Sequence, residues 1–261
     1  MSDFTMRPLR EEDREKAIEI FQASFGDGEA FIRELFALPG FLENGCGCEK
    51  DGELCSCMFS FHGLAIGGKK ISYLYALCTS PEHRGHGMGS ALTAYCTQRA
   101  YDLGAEGVFL SAADEGLLKW YSSALDAAPF APYSVEEFTA APSEEMATPI
   151  SPREYMLLRR SEWQLPAELI LAQDCIHRHF GGAFLRLGND CLCAEKTSEG
   201  ILIREVCAEN EERLLSAACG YFEVEKLFVL RKNPDGFPLL SLGRGRMLLS
   251  SNSAPMPFTL S

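Results

Sequence analysis

Pro81-Glu82-His83-Arg84-Gly85-His86-Gly87-Met88-Gly89-Ser90 is the stretch around which the rest of the chain is arranged. An apolar run, residues 71–79, precedes it, and a helical pattern, residues 91–103, follows it. Strand, glycine turn and helix in that order present bare backbone N–H groups and the positive end of a helix dipole to an anion. Spacing separates this loop from two familiar ones. A dinucleotide fold needs G-x-G-x-x-G, whereas the glycines here stand at 85, 87 and 89. A nucleoside-triphosphate loop ends in Gly-Lys, and Gly89 is followed by Ser90. The residues spell R-x-x-G-x-G, from Arg84 to Gly89.

In these residues the chain resembles the GNAT family of acetyl-CoA-dependent N-acetyltransferases, whose pyrophosphate loop reads Arg/Gln-x-x-Gly-x-Gly/Ala. The family's approach strand carries an apolar pair and a proline before the loop; Leu77, Thr79 and Pro81 stand at those positions, with Thr for the usual Val. Further on the family carries Asn-x6-Tyr and then Gly-Phe. Asp114 occupies the Asn position, Tyr121 the Tyr position, and Pro129-Phe130 stands near the place of Gly-Phe. The resemblance covers residues 4–130 and is most specific over 71–90. It implies an α/β (α+β) fold with a mixed central sheet flanked by helices. It also implies a site. The backbone of Arg84, Gly85, His86, Gly87, Met88, Gly89 and Ser90 would hold the pyrophosphate of acetyl-CoA. Leu77, Cys78 and Thr79 would pair with the pantetheine like an added strand, Asp114 would touch the same arm, and Tyr121 would protonate the leaving thiolate.

Composition sets the bounds. The chain has 261 residues, 46% hydrophobic, enough for one large or two small cores. Residues 1–16 are dense in charge without an apolar core, which predicts no export signal, and no apolar run is long enough to span a membrane. A cytoplasmic protein is expected. The net charge is −13, and up to Ala140 there are 11 Lys and Arg against 21 Asp and Glu. That disfavours nucleic acid as a partner; the charge would attract a cationic amine, or it serves as a solvated acidic surface that aids solubility. Eleven cysteines without an export signal are expected to be reduced thiols.

Taken in order, residues 10–25 and 29–38 read as two helices that the resemblance places beside the acceptor site. Residues 46–62 read as a hairpin turning at Asp51-Gly52. A two-residue loop there sets Cys48 opposite Cys55 and Cys46 opposite Cys57, all on one side. The C-x-C spacing favours buried thiols over a metal site. Residues 114–125 have helical spacing, with Leu117, Leu118, Trp120 and Tyr121. Residues 139–152, rich in Ala, Pro, Ser and Glu, read as a linker. Beyond it helix, hairpin, strand, helix and strand repeat the order of the first half without a glycine loop. The expected organisation is therefore a GNAT domain at 1–138, a linker at 139–152 and a smaller degenerate GNAT-like α+β domain at 153–261. His177 and His179 diverge on a helix and read as cations at its C-terminus. Gly243-Arg244-Gly245-Arg246 reads as a turn.

The implied reaction is direct transfer of an acetyl or other acyl group to a small-molecule or peptide amine in a ternary complex, with no metal. The alternative is a non-catalytic acyl-CoA sensor or scaffold. The strand at 71–79 has no carboxylate to serve as a base. Glu53, His62, His83, a water chain or a carboxylate from the second half, the Ser261 terminus included, are the candidates.

Overall fold

The computed structural model describes residues 3–141 and 143–243. Strand β1 (Thr5–Pro8) leads through a single 3-10 turn into α1 (Arg14–Phe25), whose buried face is Ala17, Ile18, Ile20 and Phe21. Gly26 ends α1 in the left-handed conformation, φ 76°, which glycine adopts without a Cβ clash. Helix α2 (Glu29–Phe36) buries Phe31, Ile32, Leu35 and Phe36. Strands β2 (Gly45–Lys50) and β3 (Glu53–Ile66) form the expected hairpin, with Asp51 and Gly52 both at positive φ.

One register expectation is corrected. A bulge between Cys48 and Glu49 shifts the pairing, so Cys46 faces Met58 and Cys48 faces Ser56. The shift turns Cys57 to the opposite face of the sheet, where its Sγ lies 3.2 Å from that of Cys78. Cys48 and Cys55 share a small cluster with Met88, and Cys46 packs with Leu92 and Cys96. All eleven cysteines are buried and free.

Strand β4 (Lys69–Thr79) enters the glycine loop; α3 (Met88–Asp102) leaves it and leads to β5 (Gly107–Leu110), which lies parallel to β4. Helix α4 (Glu115–Leu125) follows, and then β6 (Ala128–Thr139) runs through a stretch where the sequence pattern shows no strand. The remaining elements are β7 (Thr148–Pro149), α5 (Pro152–Leu158), β8 (Trp163–Gln164), α6 (Ala167–Phe180), β9 (Gly182–Leu187), β10 (Asp190–Thr197), β11 (Gly200–Cys207), α7 (Glu211–Phe222), β12 (Lys226–Lys232) and β13 (Phe237–Leu242).

Among the described residues the strands join into one mixed sheet of thirteen, in the order β1-β2-β3-β4-β5-β13-β6-β12-β11-β10-β9-β7, with β8 beside β3. Strand β13, late in sequence, fills the gap between β5 and β6. Strand β6 pairs with β13 over its first part and with β12 over its second. Residues 139–152 hold β7, and beside its pairing three backbone bonds lead into the second half, Ala140 N to Glu225 O, Ala147 N to Ala217 O and Ile150 N to Phe184 O.

Alternation along β4 sorts the core into layers. Tyr73 joins the cluster under α1, α2 and α6; its neighbour Leu74 joins the cluster under α3 and α4. The first of these clusters runs on into Phe184, Cys191 and Cys193 of the second half. A further cluster packs α7 against β9, β10, β11 and β12.

Candidate active site

The site starts where β4 and β5 part. They pair only over Ile71–Leu74 and Gly107–Leu110, and β5 then stops. Strand β4 continues with a bulge: its register against β3 slips between Cys57 and Phe59, and Ala76 is forced to φ 53°. A non-glycine residue at positive φ is strained, and such strain is found where the fold over-determines it. Beyond Leu74 the edge of β4 that faces away from β3 has no strand partner among the described residues. It is therefore open to an extended ligand.

The loop lies at the end of that edge. Gly85 and Gly87 take φ 81° and 79°, with open space where a Cβ would point. Gly87 is the N-cap of α3 and supplies no side-chain cap, and the first turn of α3 holds no acidic residue. The N–H groups of Met88, Gly89 and Ser90 precede the first intrahelical donor, Ala91 N to Gly87 O, and aim outward as an anion site requires. His86 is exposed beside them and Met88 is buried beneath. Arg84 holds the loop in place. Its Nε donates to Thr79 O at 3.0 Å and Nη2 to Ala23 O at 3.4 Å, tying the loop to β4 and α1. Thr79 and Cys78 are tied on the β3 side, where Ser56 Oγ donates to Cys78 O at 2.7 Å and lies 2.9 Å from Thr79 Oγ1.

From the splay a cavity of about 480 Å³ opens. Its floor is β4 from Tyr73 to Leu77, and one wall is Leu110, Ser111, Leu117 and Tyr121. Tyr121 is 7% exposed, and its hydroxyl has no hydrogen-bond partner among the described residues. Burial pushes its pKa up to about 12, so it carries its proton at neutral pH. Asp114 caps α4, its Oδ1 accepting from Leu117 N at 2.8 Å. Its neighbours Ala113 and Leu117 line the cavity.

The opposite wall comes from distant parts of the chain. The α1–α2 connection gives Asp27, α2 gives Phe31, α6 gives Ile176 and Phe180, and the end of β10 gives Glu195, Lys196 and Thr197. The carboxylate of Glu195 is buried and receives Arg204 Nε at 2.6 Å. Phe31 lies on a helix that the resemblance sets beside the acceptor site, and Glu195 is a carboxylate from the second half; the individual residues were not legible, because the contacts that assemble them join segments far apart in sequence.

The candidate bases fall mostly outside this cavity. Glu53 sits at the β2–β3 turn, paired with Lys16 at 2.8 Å. His62 Nδ1 lies 2.9 Å from Ser72 Oγ, and His83 belongs to the 3-10 turn before the loop. Ser261 lies outside the described residues, as do Arg244, Gly245 and Arg246. His177 corrects the reading of a helix-terminal cation. It is buried against Gln173 and Cys193, and desolvation pulls its pKa down to about 4, so it is neutral. His179 does meet an anion, Glu34, at 2.6 Å. Among the described residues no helix is long and apolar enough to cross a membrane.

A family model described as an acetyltransferase (GNAT) domain matches residues 5–121. Solved structures of similar fold include a GCN5-related N-acetyltransferase from Kribbella flavida, with a TM-score of 0.65 at 13% identity, over 92% of this chain and 70% of that one. Another, from Anabaena variabilis, superposes with a TM-score of 0.60 at 13% identity, over 91% of this chain and 72% of that one. No curated protein matches in sequence.

Proposed function

Residues 5–121 belong to the GNAT acetyltransferase family, and from that premise we propose that the protein transfers an acyl group, acetyl in the simplest case, from acyl-CoA to an amine. The observation that carries the proposal is the continuity of three features. The unpaired edge of β4 and Tyr121 line one cavity, and β4 runs from that edge directly into the loop that ends at the uncapped N-terminus of α3.

Each feature has its part in the reaction. The N–H groups of Met88, Gly89 and Ser90 bind the pyrophosphate, and Gly85 and Gly87 keep its approach clear. The β4 edge from Tyr75 to Thr79 aligns the pantetheine arm and so sets the thioester at the bulge, where the acceptor cavity begins. The amine nitrogen attacks the thioester carbon, the C–N bond forms and the C–S bond breaks. Tyr121 then gives its proton to the sulfur, and the proton that the nitrogen sheds on becoming an amide returns to the Tyr121 oxygen. The second half, residues 153–261, is a degenerate GNAT-like partner that shapes the acceptor cavity through α6 and β10. Its own α7 begins with an Asn210 side-chain cap on Arg213 N at 3.1 Å, followed by Glu211 and Glu212. That N-terminus is filled and negatively charged, which opposes a second pyrophosphate.

The test is calorimetric titration with CoA, followed by acetyl-CoA turnover with and without a panel of amines. Binding together with thiol release supports the proposal. Tight CoA binding without turnover for any amine would favour a sensor or scaffold, and absence of CoA binding would sink both readings.

A further inference from the structure

Two charged side chains that line the acceptor cavity, Asp27 and Lys196, have no ion-pair partner among the described residues, and of the two only Asp27 is partly buried. Asp27 lies half-buried between Gly26 and Gly28 and has no hydrogen bond or ion pair among the described residues. Burial alone raises its pKa, and its charge in turn helps to raise that of Tyr75 on the cavity floor. The other carboxylate of the wall, Glu195, is already neutralised by Arg204 at 2.6 Å. Lys196 is exposed and lays its stem along Gly181, so its ammonium is screened by water. The uncompensated, partly desolvated charge of the cavity is therefore negative and belongs to Asp27.

Its neighbours are aromatic. Phe25 and Phe180 are 48% and 44% exposed, although both line the cavity. Phe180 meets Phe31 edge-on at a centroid separation of 4.8 Å. Large exposed aromatic side chains gathered at a cavity mouth mark a binding surface, and ring faces attract cations as well as apolar bodies.

Resting on the acyltransferase reading above, we infer that Asp27 is the acceptor-recognising residue, and that the acceptor is a primary amine carried as a monocation on an apolar or aromatic body. The ammonium pairs with the Asp27 carboxylate, and the body lies against Phe25, Phe31 and Phe180. The negative charge excess of the first half, 21 acidic against 11 basic residues up to Ala140, steers such a cation toward the cavity.

The test uses the full-length chain and two probes of equal shape, 2-phenylethylamine and 2-phenylethanol, titrated calorimetrically with and without CoA. The amine should bind about ten- to a hundredfold more tightly than the alcohol, the range expected of a hydrogen bond to a charged group. Asp27→Asn should abolish that preference and Asp27→Glu should keep part of it. Neither variant should change CoA affinity, and circular-dichroism melts should confirm that both fold. Equal binding of amine and alcohol, failure of both to bind, or a preference that survives Asp27→Asn would overturn the inference. Because the amine and alcohol are also titrated without CoA, loss of CoA binding would count against the acyltransferase reading while the preference set by Asp27 is still measured.

Discussion

At the scale of single residues, the proposed chemistry rests on Tyr121. Its ring is held by the Leu92, Leu110 and Leu240 cluster and meets Trp120 at a centroid separation of 4.8 Å. Tyr121 also lines the cavity, and its hydroxyl has no partner among the described residues. Packing and chemistry are thus divided between ring and oxygen, and Tyr121→Phe separates them. The variant should melt as the parent does, because no hydrogen bond is lost, and should bind CoA equally well. Its kcat should fall by about 10²–10⁴-fold, the usual contribution of a positioned general acid. The pH dependence has a definite sign. A pKa raised to about 12 keeps the proton on Tyr121 throughout the working range. Loss of that proton should therefore cause no alkaline fall in kcat below about pH 11. A pH–rate profile of Tyr121→Phe laid over the parent's checks this: the ratio should stay flat from neutral pH to about pH 10. A drop in melting temperature of many degrees would instead show that the hydroxyl holds the core together.

At the scale of elements, the helix N-termini divide the two halves. Helix α3 leaves its first N–H groups bare, whereas α7 covers its own with Asn210, Glu211 and Glu212. Ser90→Glu should reverse the character of α3. A carboxylate in the first turn of a helix stabilises it by about 0.3–1 kcal/mol, so the melting temperature should hold or rise. The same charge should repel a pyrophosphate, and CoA affinity should fall by at least about tenfold. Stability and binding moving in opposite directions is an outcome a merely structural loop would not give. The contrast between α3 and α7 also predicts one CoA per chain in calorimetry. Much of this was legible in the sequence, because R-x-x-G-x-G and the spacing of Tyr121 are local patterns with local causes. The hairpin register was not. The turn at Asp51-Gly52 formed as its residues require, but the bulge beside Cys48 depends on packing against β1 and β4. Asp27 and Glu195 could not be singled out for a related reason: neither lies in a motif, and their segments meet at one cavity only in the folded chain, where α6 packs on both α2 and β10.

At the scale of the whole molecule, the order of strands departs from the order of sequence. Composition sets a boundary near residue 138, yet β13 comes from beyond it and lies between β5 and β6. Leu239 and Leu240 of β13 are fully buried, and Leu240 belongs to the same cluster as Tyr121. A fragment ending at Thr139 would lose those side chains. It would also expose the edge of β5 over Val108–Leu110 and strip β6 of both its partners. Burying one leucine is worth about 1.5–3 kcal/mol, and a domain's whole stability is only about 5–15 kcal/mol. Two core leucines and an unpaired edge are therefore a large fraction of what holds the first half together. The fragment would further lack Ile176, Phe180 and Glu195, and with them one wall of the acceptor cavity. We therefore expect residues 1–139 alone to collapse without a cooperative melt, to bind a hydrophobic dye and to aggregate through the opened edge. Co-expression with residues 140–261 as a separate chain should restore a soluble complex, since the sheet and core need the strands and not the covalent link. A fragment 1–139 that melts cooperatively and binds CoA with the affinity of the intact chain would show that β13 decorates the first half without completing it.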